Sequence, residues 1–68
     1  MRNDETEIEM TMRHVRRGHA IIEQQQALVD AKRRQGRDTE SSEKLLTTFE
    51  EVQDLHEQHL ERLQNKEH

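Results

Sequence analysis

The sequence predicts an all-α protein, an antiparallel two-helix hairpin that dimerises into a four-helix bundle. Three observations lead there. The 68 residues contain no proline and one aromatic, Phe49, while Glu, Gln, Arg, Leu and Lys dominate, a composition that favours helix over strand. Apolar residues recur at steps of three, four and seven, the period of a helix with one buried face. A lone glycine, Gly36, separates two such stripes.

The first stripe runs Ile8, Met12, Val15, Ile22 and Val29, flanked by Ala20, Ile21, Ala27, Leu28 and Ala31. It predicts helix one over about residues 5–35. The basic run Lys32-Arg33-Arg34 suits the negative end of the helix dipole, and Gly36 stands where a left-handed C-terminal cap is expected. A turn over 36–38 follows. Asp38 or Thr39 can then cap helix two, over about 39–65, with Glu40 and Glu43 near its positive end. The second stripe runs Leu45, Phe49, Val52, His56, His59 and Leu63, with Leu46, Leu55 and Leu60 beside it.

So short a turn forces the helices into an antiparallel pair. With its centre near residue 37, positions summing to about 74 face each other. Val29 is then expected against Leu45, Ile22 against Val52, and Val15 against His59. The cluster Arg13, Arg16 and Arg17 falls beside Glu57 and Glu61. Gly18 reads either as a weak spot in helix one, at about 1 kcal/mol relative to alanine, or as a point of close helix approach.

One hairpin has one seam, narrower than the apolar stripes. The interface residues expected are Val15, Ile22, Val29, Leu45, Phe49, Val52 and Leu63 within the seam, with Ile21, Leu28 and Leu60 toward a second copy. Self-association is the simplest way to cover the flanks; another helical protein is the competing partner.

Composition excludes several classes. Only 28% of residues are hydrophobic and 38% are charged. No window approaches the run of about 18 apolar residues that a membrane span needs. The acidic start MRNDETEIEM lacks the apolar core of a secretory signal, and the absence of cysteine suits a reducing compartment. A cytoplasmic protein is expected. The net charge of −4 disfavours nucleic acid. Residues 1–36 carry seven Lys/Arg and six Asp/Glu, residues 37–68 four and nine, so the two halves have opposite sign. With no phosphate loop, no nucleophile relay and no expected pocket on the 300 Å³ scale, neither an enzyme nor a cofactor is expected.

The remaining chemistry is histidine. His56 and His59, in LHEQHL, share a helix face. The 74 register sets His19 near His56 and His14 near His59, so two histidines from each helix gather in one half of the seam, and His19, His56 and His59 are candidate metal ligands there. Imidazole suits zinc, but the bundle di-metal pattern needs Glu-x-x-His, and Gln53 stands three before His56. The plainer reading makes the histidines polar spacers, satisfied by Glu23, Gln25 or Gln26. A metal- or pH-responsive histidine module is the alternative function, with acid destabilising clustered imidazoles.

The pattern HV..GH..I..QQ.LV, then GRDT, LL..FE and LH..HLERL, resembles a group of very short uncharacterised proteins of alphaproteobacteria, particularly rhizobia-like genomes. The resemblance spans about residues 14–63. It implies a stand-alone bacterial hairpin and brings no activity with it. The function expected is a small protein–protein interaction module, an adaptor or regulator working as a homodimer.

Overall fold

The computed structural model describes residues 5–66; residues 1–4 and 67–68, with His68, lie outside them. The chain forms two helices, α1 (Glu7–Arg34) and α2 (Glu40–Lys66), packed as a hairpin. Local chemistry fixes each end. Thr6 caps α1 through a reciprocal pair: its hydroxyl accepts the Glu9 N–H at 3.1 Å, and the Glu9 carboxylate accepts the Thr6 N–H at 3.0 Å. That box starts the helix at Glu7, two residues inside the expected boundary.

The expected glycine cap is present at the other end. Gly36 has φ 70°, its N–H bonds to the Arg33 carbonyl, and the Arg37 N–H reaches back to the Lys32 carbonyl at 2.8 Å. Those two bonds define a Schellman cap, which needs a residue free of the Cβ penalty. Both candidate caps of α2 take part. Asp38 accepts the Glu40 N–H at 3.0 Å, while the Thr39 hydroxyl donates to the Glu43 carboxylate at 2.7 Å.

The seam between the helices is largely polar. Val29, 1% exposed, is the buried apolar side chain among the described residues. The other buried positions are Thr11, Gln25, Ser42 and Gln53. On α1, Thr11, Gly18 and Gln25 alternate with Ile8, Val15, Ile22 and Val29, so apolar and polar layers take turns along one face. Cross-helix bonds link the polar layers. The Gln25 amide donates to the Ser42 carbonyl at 2.9 Å, and the Lys32 ammonium donates to the Ser42 hydroxyl at 2.7 Å.

This arrangement corrects two expectations. The α2 face in the seam carries Ser42, Leu46, Phe49, Gln53, His56, Leu60 and Leu63, all buried or half-buried, whereas Leu45 and Val52 are exposed. The helix is rotated so that its bonding side chains, not its most apolar stripe, face α1. The register differs too. Gly18 faces Gln53 and His14 faces His56, about one helical turn from the expected pairing.

Gly18 explains that offset. A Cβ built on it would overlap the Gln53 carboxamide, whose N–H₂ donates to the Val15 carbonyl at 2.9 Å and to Glu57 at 3.3 Å. Gly18 is therefore a point of close approach. On helix propensity alone Gly18→Ala would stabilise α1 by about 1 kcal/mol. The overlap should outweigh this, giving a net loss of roughly 1–3 kcal/mol in chemical denaturation, and Gln53→Ala in the same chain should recover part of it. A more stable single variant would remove the close approach.

Candidate functional site

Two features stand out on the surface, an apolar face and a histidine pair, and they adjoin. A groove of about 330 Å³ runs between the helices, lined by His14, Gly18 and Ile21 of α1 and by Phe49, Val52 and His56 of α2, among others. This volume exceeds what so short a chain was expected to offer. The polar seam creates it: Gln53 draws the helices together at Gly18 below, and the aliphatic side chains stand out at the rim. Leu28 lies seven residues beyond Ile21 and Leu45 seven before Val52, so all four belong to the same side of the hairpin. They are between 37% and 45% exposed.

The other expected interface residues are placed as follows. Val29 is buried; Val15, Ile22, Phe49, Leu60 and Leu63 are half-buried in or beside the seam. Leu60 thus exchanges places with Leu45 and Val52 relative to the sequence reading. Its position, seven from Gln53 and four from His56, would have revealed this had the polar layers been counted as seam.

The histidines divide into two kinds. His14 and His56 face each other across the seam, with ring centroids 5.5 Å apart and planes at 35°. His19 and His59, two of the expected metal candidates, instead approach glutamates: His19 Nε2 lies 3.5 Å from Glu57 and His59 Nε2 lies 3.3 Å from Glu7. The register places His14 beside His56 instead of beside His59. Glu23, Gln25 and Gln26 do not serve as spacers' partners; Gln25 is engaged with Ser42 and Gln26 with Asp30. Among the described residues no group of three or more metal-ligating side chains gathers.

The basic cluster also departs from expectation. Arg13 forms a two-point contact with Glu5, at 2.9 and 3.1 Å, instead of meeting Glu57 or Glu61. That contact pushes the Arg13 guanidinium above its ordinary pKa, through the hydrogen bond first and the charge second. Arg16 and Arg17 remain exposed on α1.

Near the turn, Glu43 ties the two helices. It accepts from the Thr39 hydroxyl at 2.7 Å and from Arg33 at 2.5 Å. The Thr39 bond, followed by the Arg33 bond, holds its carboxyl below the ordinary carboxylate range.

Fold and surface together define an all-α helical hairpin with one open apolar face; among the described residues no helix is long and apolar enough to cross a membrane. No family model matches the chain, and neither a curated protein nor a solved structure does.

The lowered Glu43 pKa has a signed consequence. A carboxyl that titrates lower in the folded than in the unfolded chain adds stability above its unfolded pKa, and that contribution disappears as pH falls through the folded value. Thermal melts stepped from pH 6 downward should lose stability more steeply for the native chain than for Glu43→Gln. Parallel curves would show that the Thr39–Glu43–Arg33 contact contributes nothing in solution.

Proposed function

We propose that this chain is a protein–protein interaction module that works as a homodimeric four-helix bundle, a small adaptor or regulator in the cytoplasm and not an enzyme. The observation that carries the reading is the open face itself. Ile21, Leu28, Leu45 and Val52, two residues from each helix, stand exposed on one side, while the seam they flank encloses a single buried apolar side chain among the described residues. The radius of gyration, 15.6 Å, is well above the roughly 11 Å of a compact chain of this length. A hairpin this thin has little core of its own, and a chain of this size ordinarily needs a metal, a disulfide or a partner.

A second copy suits the face. An isologous contact places one patch against itself about a two-fold axis, and a patch shared between α1 and α2 sets each helix against the other kind. α1 brings exposed Arg16 and Arg17; α2 brings exposed Glu50, Glu51 and Asp54. The basic and acidic halves of the chain become neighbours across the axis, which fixes orientation as well as adding attraction.

Sedimentation equilibrium in EDTA, with helicity read on the same samples, tests the proposal. A helical particle of twice the 8.2 kDa chain mass is expected. The double substitution Ile21→Glu and Val52→Glu should give a particle of single-chain mass with reduced helicity. In a free-standing hairpin those exposed positions would tolerate the change within about 0.5 kcal/mol each. A fully helical native monomer at all concentrations would end the homodimer reading.

Phe49 supplies a second, graded measure. It is half-buried in one hairpin and lines the groove. Under a second copy it would be fully covered, and Phe49→Ala should then cost about 3–5 kcal/mol in denaturant melts. A cost below about 1.5 kcal/mol, half of the lower figure, would place Phe49 at an open surface in solution.

A further inference from the structure

We propose that His14 and His56 form a two-imidazole site for a divalent transition-metal ion, a clip across the two helices at the rim of the groove. The inference rests on the distance between the rings. Zinc holds an imidazole nitrogen at about 2.0–2.1 Å, which puts each ring centroid about 3.2 Å from the ion. Two such rings around a tetrahedral centre have centroids about 5.2 Å apart by the same geometry. In this hairpin the separation is 5.5 Å, and the rings tilt by 35°. Among the described residues no hydrogen bond joins them, and neither histidine is paired with a carboxylate, unlike His19 and His59. Two half-buried imidazoles are thus brought together across the seam with their ring-nitrogen chemistry unused.

The helices hold the pair in place. His56 lies one turn beyond Gln53, whose amide is anchored on the Val15 carbonyl, and Val15 is the next residue after His14. The anchor therefore fixes the register of both rings. A preformed pair raises the effective concentration of the second ligand, so the chelate should bind roughly 10²-fold more tightly than one imidazole. The groove leaves space beside the rings for water to complete the coordination. Arg17 lines the same groove, and its charge opposes a bound cation. Imidazole nitrogens select zinc, nickel or copper over hard cations such as magnesium.

Isothermal titration of the native chain with Zn²⁺, with Mg²⁺ as the contrast, tests the assignment. Zn²⁺ should bind at one site per chain and raise the midpoint of thermal unfolding, since a ligand held by the folded pair favours the folded state. His14→Gln and His56→Gln should each weaken Zn²⁺ roughly 10²-fold, whereas His19→Gln with His59→Gln should leave the affinity unchanged. To keep the test independent of variant stability, imidazole ¹⁵N shifts of the native chain would follow the titration. Changes confined to His14 and His56 support the site. Binding of Mg²⁺ equal to Zn²⁺, no response to Zn²⁺, or shifts centred on His19 and His59 would overturn it.

Discussion

The Gln53 carboxamide sets the geometry of this hairpin. It is 5% exposed, and it occupies the gap that Gly18 leaves in the wall of α1. Its N–H₂ group donates to the Val15 carbonyl, using a second lone pair of a helix carbonyl. Its oxygen has no hydrogen-bond donor among the described residues and points at the position where Gly18 lacks a Cβ. A buried amide left half-satisfied is costly. One sliding turn in either direction would cost the amide its bond to the Val15 carbonyl and set a Cβ against it where Gly18 now leaves room, which is why the observed register is specified although little apolar surface lies within it.

The rest of the structure follows from that bond. With α2 turned to bring Gln53 and Ser42 inward, Leu45 and Val52 must turn outward, and on α1 Ile21 and Leu28 flank the same opening. The apolar residues are displaced from the seam to its edge. Polar layers specify which positions meet, at some expense in stability, in the way a buried polar residue does in coiled coils. The same rotation sets His14 opposite His56 and leaves His19 and His59 at the surface, within reach of Glu57 and Glu7.

Much of this was legible in the sequence, and the failures share one cause. The helices, the Gly36 cap, the Asp38 and Thr39 start of α2 and the antiparallel pairing all come from local rules that act within a few residues. The identity of the inward face of α2 does not. Counting only apolar residues selects Leu45, Phe49 and Val52; the actual seam keeps Phe49 but adds Ser42, Leu46, Gln53 and Leu60. No periodicity of hydrophobic residues reports a glutamine that is buried because a glycine stands opposite. Gly18 and Gln53 are the legible pair in hindsight: a glycine inside a helix is costly unless something occupies its space. Once the register moved by a turn, the histidine partners changed with it.

The two ends of the hairpin are not equally secured. At the turn, the Schellman cap, the Thr39–Glu43–Arg33 contact and the Lys32–Ser42 bond lie within a few residues of one another. His14 and His56 lie about 30 Å along α1 from that turn, at 1.5 Å per residue. There the helices are held by the Gln53 anchor, exposed pairs such as His59 with Glu7, and half-buried Leu60 and Leu63. Exposed ion pairs contribute little, so fraying should begin at this open end and travel toward the turn. A second copy laid over Ile21, Leu28, Leu45 and Val52 would cover the middle of the hairpin but reach the open end last. A tie between the rings of His14 and His56 acts toward that end of the same groove, one turn past Val52 and two turns before Ile21. Assembly and metal would then act on one groove of a thin structure, and their effects on folding should couple, as perturbations at neighbouring sites do.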